Sequence, residues 1–233
     1  MPLVLVTGAS QGIGAAVALA FAERPGARLA LASRSAGKLA AVAERCRAAG
    51  AEARPFPCDV TDDAAVEALA DGVGQWGGAP DVLVNNAGLF EPGGFLETTP
   101  EAFRRQLEVN AVSAFLVTRA FLPAMLARGS GRVLMMGSVA SVRGYPGGTA
   151  YGAAKHALLG LARALREETK GTGVGVTTLL PGATLTPSWD GVDLPPHRLM
   201  PPEDVARVAV EVASLSARSV VEEVLVRPAE GDV

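Results

Sequence analysis

Lysine, asparagine and cysteine are scarce in this sequence. Its 233 residues include 3 Lys, 3 Asn and 2 Cys, against 18 Arg. Cys46 and Cys58 have neither metal-ligand spacing nor a disulfide pattern, so we interpret them as buried or half-buried thiols in a reducing cytoplasm and predict no metal site. Where a residue type is this rare, each position that keeps it invites a chemical reason, and Lys155 and Asn110 are two such positions.

Net charge and long apolar runs are also limited, and both absences exclude a class of partner. The formal net charge is -3 and no basic stripe is present, so we expect no nucleic-acid partner. No apolar run reaches the ~18 residues of a membrane span, so we expect no membrane partner. The N-terminus lacks a basic region followed by a cleavage site, so we expect no secretory signal and a cytoplasmic location.

The order of predicted strands and helices indicates an α/β fold. With 49% hydrophobic residues, the chain is long enough to bury a sizeable core, and we expect one domain over residues 1–233. Strands are predicted over residues 3–6, 28–32, 52–57, 82–85, 132–136, 174–180 and 223–226, and helices over 12–24, 36–49, 62–75, 100–128, 150–169 and 202–214. Continuous apolar strands that alternate with helices favour a doubly wound, seven-stranded parallel sheet with helices on both faces.

A glycine-rich turn follows the first predicted strand. Residues 7–14 read T-G-A-S-Q-G-I-G, and Gly8, Gly12 and Gly14 would allow a tight turn with a close backbone approach to a phosphate. The helix that follows would present free N–H groups to that anion. Ligands of doubly wound sheets bind beyond the carboxyl ends of the strands, which favours a phosphate site here over an ordinary turn.

Tyr151 and Lys155 lie four residues apart in Y-G-A-A-K, so on a helix their side chains share one face. A phenol ionises near pH ~10, and a neighbouring cation favours the phenolate and lowers its pKa. We therefore expect Tyr151 to exchange protons near neutral pH, as general acid–base catalysis requires. Taken alone, the pair would equally suit a solvated helix face.

Seven motifs in order give the sequence a resemblance to the short-chain dehydrogenase/reductase superfamily. They are T-G-A-S-Q-G-I-G (7–14), Cys58-Asp59-Val60, N-N-A-G (85–88), Asn110, Ser138, Y-G-A-A-K (151–155) and P-G-A-T-L-T (181–186). The resemblance implies a Rossmann-type domain that binds a nicotinamide dinucleotide. It also implies an oxidoreductase that moves a hydride between the nicotinamide and a carbonyl carbon, interconverting a ketone or aldehyde and an alcohol.

The resemblance implies a catalytic set of Asn110, Ser138, Tyr151 and Lys155. Tyr151 would protonate the developing alkoxide during reduction, and Ser138 would hydrogen-bond the same oxygen. Lys155 would lower the pKa of Tyr151 and hold the nicotinamide ribose, while Asn110 would hold a water that links Lys155 to solvent. Ser141 is a nearby rival, but only Ser138 has the family's thirteen-residue spacing to Tyr151.

The resemblance also implies a set of cofactor contacts. Asp59 would accept a hydrogen bond from the adenine amino group, and N-N-A-G would serve partly as scaffold and partly as a floor for the ribose. The complete predicted set is Gly8, Ser10, Gln11, Gly12, Ile13, Gly14, Ser33, Arg34, Asp59, Val60, Asn85, Asn86, Ala87, Gly88, Tyr151, Lys155, Pro181, Gly182, Thr184 and Thr186.

The end of the second predicted strand indicates which dinucleotide is preferred. It reads Ala32-Ser33-Arg34, with no acidic residue. An acid there usually holds a ribose 2′-hydroxyl, whereas an arginine accommodates a 2′-phosphate. We therefore predict NADP(H) over NAD(H), with Arg34 on the adenine and the 2′-phosphate, and a plain surface arginine as the alternative.

The predicted substrate contacts are Phe90, Ser138, Tyr145 and Trp189, beside a short substrate loop at about 187–201. Together they suggest a mostly apolar small-molecule ketone or aldehyde, with a 3-oxoacyl thioester as one option. Two rivals stay open, namely a catalytically silent NADP-binding sensor or scaffold, and an epimerase or dehydratase with the same four residues. The family suggests a homodimer or homotetramer, although the sequence lacks the usual glycine-rich turn near its end, which puts the tetramer contact in doubt.

Overall fold

Seven strands form one parallel sheet in the computed structural model, which describes residues 2–231. The strands are β1 (Leu3–Thr7), β2 (Arg28–Ser33), β3 (Glu52–Pro57), β4 (Val82–Asn85), β5 (Gly131–Met136), β6 (Val174–Pro181) and β7 (Glu223–Val226). Their order across the sheet is β3-β2-β1-β4-β5-β6-β7, so the chain reverses its direction of progress between β1 and β4. The predicted Rossmann-type fold is confirmed, and the reversal marks the edge at which such sheets bind ligands.

Helices cover both faces of the sheet. They are α1 (Gly12–Ala22), α2 (Ala36–Ala48), α3 (Asp63–Gly77), α4 (Pro100–Leu107), α5 (Ser113–Arg128), α6 (Thr149–Thr169) and α7 (Pro202–Ala213). Alternate residues of β1 serve opposite faces, because successive side chains of a strand point to opposite sides. Val4 and Val6 pack in the core cluster that contains Phe21, whereas Leu3 and Leu5 pack in the cluster that contains Phe121. Both clusters are buried, which explains why the strands read as continuous apolar runs.

The helix predicted over residues 100–128 is present and contains one irregular turn. A π-helical turn, Glu108–Val112, separates α4 from α5, and it contains the buried Asn110. A π-turn accommodates an extra residue in a helix and is frequent at functional sites. The predicted helical stretch is therefore confirmed, but its π-turn was not foreseen, because helical periodicity alone gives no sign of one added residue.

The stretch Pro100–Arg128 is also long and apolar enough, by length and composition, to cross a membrane. Part of that apolar surface packs inside the protein, since Val117, Phe121 and Met125 are buried in the core cluster between α5 and the sheet. An apolar helix of this kind is common in a protein core.

Candidate active site

A cavity of about 760 Å³ opens at the carboxyl ends of the strands. The glycine-rich turn after β1, the ends of β2 and β3, the segment after β4, and the segments after β5 and β6 all contribute to its wall. Every residue predicted as catalytic, cofactor-binding or substrate-binding lines this cavity except Asn85. Residues that are far apart in the sequence therefore meet at one site.

The glycine turn brings backbone close to backbone at one end of the cavity. Gly8 has a positive φ of 63°, and a Cβ atom on it would lie 2.8 Å from the Cα of Ala87. A Cβ atom on Gly14 would overlap the carbonyl oxygen of Gly8. Only glycine fits these positions, and the wall they form is bare backbone beside the N-terminus of α1, which suits a phosphate group.

Side chains at the ends of β1 and β4 tie the two strands together. The Thr7 hydroxyl accepts hydrogen bonds from the backbone N–H groups of Asn86 (3.0 Å) and Ala87 (3.1 Å). The Asn86 amide in turn donates to the carbonyl oxygens of Thr7 (3.0 Å) and Gly8 (3.3 Å). The glycine turn and the 86–88 segment are thus held at a fixed separation.

Asn85 lies in the core and not on the cavity wall. Its amide donates to the Thr118 hydroxyl at 2.8 Å, and the residue is buried among Thr118 and Met135. Because successive strand residues point to opposite faces, Asn85 turns toward α5. The structure gives Asn85 a scaffold position and brings only the other three residues of N-N-A-G to the site.

Polar groups gather where β2 ends. The Ser33 hydroxyl is buried and has no hydrogen-bond partner, although it lines the cavity. The exposed Arg34 guanidinium lies 4.0 Å from the Asp59 carboxylate, and Lys38 Nζ donates to the Gln11 side chain at 2.9 Å. The pKa of Asp59 is held below its ordinary value, mainly because Thr61 donates side-chain and backbone hydrogen bonds to it.

Lys38 lines the cavity, and our sequence analysis missed it. It lies at the start of α2, four residues after Arg34 and near the same end of the cavity. The signal was present, since Lys38 is one of only three lysines in the chain. The scarcity that drew attention to Lys155 applies equally to Lys38.

Lys155 is buried at the opposite end of the cavity, with 4% of its surface exposed. Its Nζ atom donates to the carbonyl oxygen of Met136 at 2.8 Å and lies 5.6 Å from the centre of the Tyr151 ring. Burial lowers the pKa of Lys155 to about 8, because removing water penalises the charged ammonium. The lysine therefore titrates close to neutral pH.

The Tyr151 phenol has a pKa raised to about 12. Burial is the main cause, a hydrogen bond with Ser138 opposes it, and the nearby Tyr145 phenol adds to it. The expectation of a lowered pKa is wrong for this structure, because burial dominates and Lys155, whose Nζ donates to the Met136 carbonyl oxygen, is not among the groups that shift the Tyr151 pKa. Tyr151 is consequently a neutral proton donor over the physiological pH range.

Ser138 and its rival Ser141 are separated by their positions around a 3-10 turn, Val139–Ser141. The Ser138 hydroxyl accepts from the N–H of Ala140 at 3.1 Å and lines the cavity. The Ser141 hydroxyl accepts from the N–H of Ser138 at 3.1 Å, and Ser141 is 1% exposed and not part of the cavity wall. Ser141 thus supports the turn that presents Ser138 beside Tyr151.

The Asn110 side chain forms its hydrogen bonds with neighbouring backbone groups. Its amide donates to the carbonyl oxygens of Leu89 (2.7 Å) and Gln106 (3.0 Å), and its oxygen accepts from the N–H of Leu89 at 3.2 Å. A Cβ atom on Gly88 would lie 2.9 Å from that oxygen, so the contact also requires a glycine. Asn110 fixes the 88–90 backbone beside Lys155, and its link to a water stays a prediction.

Aromatic rings line the cavity near Tyr151. The Phe90 and Tyr151 rings meet edge to face, with centroids 5.0 Å apart and planes at 79°. Tyr145 packs so closely on Gly148 that a Cβ atom there would lie 2.6 Å from the tyrosine Cζ. Trp189 lies in the 3-10 turn Pro187–Trp189, so all the predicted substrate contacts line the same cavity.

Neither cysteine is positioned for chemistry. Cys46 and Cys58 are free and buried, as predicted, and burial raises the pKa of each thiol to about 11. Such thiols stay protonated and unreactive at neutral pH. Among residues 2–231, no three His, Cys, Asp or Glu side chains lie close enough together to hold a metal ion.

A sequence model of the family described as short chain dehydrogenase matches residues 2–194. The chain belongs to the short-chain dehydrogenase/reductase superfamily. It is 34% identical to a sepiapterin reductase of Chlorobaculum tepidum, over 99% of this chain and 98% of that protein. The match to a curated relative therefore extends over almost the full length of both chains.

Solved structures of the superfamily share the fold and include nicotinamide dinucleotides. An alcohol dehydrogenase of Thermococcus sibiricus, complexed with 5-hydroxy-NADP, has a TM-score of 0.91 and 32% identity, covering 100% of this chain and 99% of that one. A 7α-hydroxysteroid dehydrogenase complexed with NADH and 7-oxo glycochenodeoxycholic acid has a TM-score of 0.92 and 28% identity, covering 99% and 94%. This short-chain dehydrogenase/reductase is accordingly an oxidoreductase with a nicotinamide cofactor.

Proposed function

We propose that the protein is an NADP(H)-dependent oxidoreductase that interconverts a ketone or aldehyde and an alcohol, with Tyr151 as the general acid–base. One observation carries the proposal. A neutral phenol lies beside Ser138 on the wall of the same cavity as a glycine turn built for phosphates. A protein that only bound the dinucleotide would need the turn but not the Ser138–Tyr151 pair.

The residues present fit NADP(H). The bare backbone at Gly8 and Gly14 leaves room for a pyrophosphate against the N-terminus of α1. At the end of β2, the unpartnered Ser33 hydroxyl, Arg34 and Lys38 line the cavity as hydrogen-bond donors. A 2′-phosphate is an anion with several acceptor oxygens, so two cations and a free hydroxyl suit it better than they suit a 2′-hydroxyl.

The dinucleotide, when bound, supplies the hydride chemistry. Tyr151 is protonated at neutral pH and would give its proton to the oxygen that becomes the alcohol. Ser138, which lines the cavity beside Tyr151, would donate to the same oxygen and stabilise its developing charge. Lys155 is buried close to the phenol with a pKa of about 8, so it can carry the proton that restores Tyr151.

The wall near Tyr151 favours a mostly apolar substrate. Phe90, Tyr145 and Trp189 line the cavity with aromatic rings, and Arg143 adds a cation to its lining. Aromatic rings stack on flat apolar groups and contribute most through buried area. A mostly apolar ketone or aldehyde matches this wall, in keeping with the carbonyl chemistry named for the relatives.

The test is Tyr151→Phe, assayed by NADPH and NADH oxidation across ketones and aldehydes of graded chain length. General acid catalysis contributes about 10²- to 10⁴-fold, so kcat/KM should fall by at least about 10²-fold. Tyr145→Phe makes the same change on the neighbouring tyrosine and is the matched control. A loss below about tenfold in Tyr151→Phe would contradict the assignment.

The same assay separates the two rival functions. Tight NADPH binding with no turnover of any carbonyl would favour a sensor or scaffold. Conversion of substrate without net NADPH consumption would favour an epimerase or dehydratase. Oxidation of NADH with a kcat/KM equal to that of NADPH would overturn the cofactor preference alone.

We further propose one domain over residues 1–233, a cytoplasmic location and a homodimer or homotetramer. Val112, Phe115 and Leu126 are exposed on one side of the π-turn and α5, and grouped exposed apolar side chains mark candidate interfaces. A second copy of the chain would cover it symmetrically. Sedimentation should show a dimer or larger species, and Phe115→Glu should shift it toward the monomer.

A further inference from the structure

The Tyr151 ring has one well-defined aromatic neighbour. Phe90 meets it edge to face at 5.0 Å, a geometry in which the positive edge of one ring contacts the negative face of the other. Phe90 is half-buried and lines the cavity beside Tyr151. The ring contact limits the movement of the Tyr151 side chain on the side that faces Phe90.

The backbone on either side of Phe90 is anchored. Before it, Leu89 exchanges two hydrogen bonds with the Asn110 side chain, at 3.2 and 2.7 Å. After it, the carbonyl oxygen of Glu91 accepts from the buried Gln106 amide at 2.7 Å. Two buried amides from the end of α4 and the π-turn therefore fix the backbone that carries the Phe90 ring.

A third anchor joins the same segment to the loop before α6. The N–H of Gly93 donates to the carbonyl oxygen of Gly147 at 2.8 Å, and Gly93 forms a parallel bridge with Gly148. The segment after β4 is thereby tied to the beginning of the helix that carries Tyr151. Phe90 and Tyr151 share one rigid frame although they lie on different elements.

We propose, as an extension of the proposed function, that Phe90 is a positioning residue that holds the Tyr151 ring in line with Ser138. The Ser138 hydroxyl lies beside the Tyr151 phenol and the Phe90 ring contacts the Tyr151 ring, so the two neighbours together define where the proton is delivered. Small misplacements of a reacting group are costly, since a shift near 1 Å can cost about 10²-fold. Loss of the Phe90 ring should therefore lower kcat for every substrate, whatever its size.

Phe90 also keeps water from one side of the phenol. The polar and titratable groups that face Tyr151 are Lys155 from its own helix, Ser138 from the end of β5 and Tyr145 from the intervening loop, while Arg143 lines the same cavity. None of these four changes when Phe90 is replaced. A smaller side chain at residue 90 should admit water and bring the Tyr151 pKa down toward its ordinary value.

The sequence permits a direct measurement, because Tyr145 and Tyr151 are its only tyrosines. In a Tyr145→Phe background, phenolate absorbance between about pH 9 and 11 reports Tyr151 alone. Phe90→Ala in that background should increase the phenolate fraction at each pH by severalfold, and Phe90→Leu should do so less. Circular dichroism at each pH confirms that the fold persists, and if the alanine variant does not fold, the leucine variant decides.

Kinetics give the second readout and the control. Phe90→Leu should lower kcat by about tenfold for small and large carbonyls alike, with the NADPH dissociation constant unchanged. Phe95→Leu makes the same substitution in the same segment, at a residue 81% exposed, and should leave both kcat and the titration as in the parent.

Two results would overturn the inference. One is a Tyr151 titration that stays unchanged in both Phe90 variants. The other is an effect confined to KM that varies with the substrate, which would make Phe90 a wall of the substrate site and nothing more. The titration needs no turnover, so a protein that reduces no carbonyl but shows the shift would lose the proposed function and keep this inference.

Discussion

The two ends of the cavity are built on opposite principles. The glycine end is formed by the glycine turn with Ser33, Arg34 and Lys38. It combines closely packed backbone segments with exposed cationic side chains. The tyrosine end is formed by Ser138, Tyr151 and Lys155 with Phe90, and it contains the buried Lys155 ammonium beside the half-buried Tyr151 phenol. Burial moves the pKa of Tyr151 up and that of Lys155 down, so both changes favour the neutral form.

This difference predicts how substitutions at each end will affect the protein: those at the glycine end should alter cofactor affinity, and those at the tyrosine end should alter catalysis. Exposed charges at the glycine end interact through water, so their replacement alters affinity by modest factors. Buried groups at the tyrosine end lack that screening, and each replacement there disturbs its neighbours strongly. We therefore expect cofactor preference to be adjustable without loss of chemistry, whereas the chemistry should tolerate little change.

The largest effect is expected at the buried cation. Lys155→Arg should lower kcat/KM by about 10²-fold or more, because a guanidinium is larger and cannot become neutral at a site where the lysine pKa is about 8. Lys170→Arg, on the exposed end of the same helix, is the control and should match the parent. If kcat/KM of Lys155→Arg stayed within about threefold of the parent value, the tyrosine end would be no more sensitive to substitution than the glycine end, and the comparison would fail.

The next effect is expected at the glycine end and on a different quantity. Arg34→Ser combined with Lys38→Ser should lower the ratio of kcat/KM for NADPH over NADH by about tenfold, since two cations that would bind a 2′-phosphate are lost but both are exposed and screened by water. The value of kcat at saturating cofactor should not change. Arg45→Ser, farther along α2, is the control, and an unchanged NADPH preference in the double variant would break the comparison.

A smaller effect is expected where the two ends meet. Gly88→Ala would place a Cβ atom 2.9 Å from the Asn110 oxygen and should cost about 1–3 kcal/mol of unfolding free energy. Gly160→Ala, in open space on α6, should instead stabilise the protein by about 0.5–1 kcal/mol. Urea unfolding measures the stability of both variants against the parent. Equal midpoints for Gly88→Ala and Gly160→Ala would show that the contact between residue 88 and Asn110 is not tight.

The smallest effect is a pH dependence of stability. The pKa of Lys155 falls from 10.5 to about 8 on folding, so between about pH 8 and 10 the unfolded chain binds a proton that the folded chain lacks. Unfolding free energy should therefore rise across this window, by on the order of 1–2 kcal/mol, and this gain is lost as the pH falls through 8. Above pH 10 the raised pKa of Tyr151 opposes it.

The contribution of Lys155 to this pH dependence is obtained by comparing the parent with a variant that lacks the lysine. Urea midpoints of the parent and of Lys155→Met at several pH values remove the contributions that the two proteins share. The difference should increase from about pH 8 to 10 in favour of the parent. A difference that is flat with pH would mean that Lys155 is not desolvated as its position implies.

The sequence was sufficient for the fold and for most of the cavity wall. Apolar runs and glycine spacing are local signals, so the seven strands and the turn at Gly8, Gly12 and Gly14 could be predicted without coordinates. Lys38 was missed because it lies inside a helix, where no motif singles it out. Asn85 was placed among the cofactor contacts because a motif gives the order of residues but not the face on which each one lies.

Two features of the tyrosine end depend on tertiary packing and could not be predicted. Spacing put Lys155 on the same helix face as Tyr151, but the partner of its Nζ is the Met136 carbonyl, on a different element. The pKa of Tyr151 then follows burial and not the neighbouring charge. The Phe90 ring contact likewise depends on how residues 89–93 are anchored.

The π-turn at Glu108–Val112 has a consequence for the tolerance of this gene to insertions and deletions. Removing one residue from the turn would restore regular helical hydrogen bonding and would rotate everything after it by about 100° relative to α4. Val117, Phe121 and Met125 would then turn away from the sheet while Asn110 lost its place beside Leu89. Length at this point of the chain should be invariant among functional variants even where the side chains change, whereas the exposed stretch 190–193 should accept added residues.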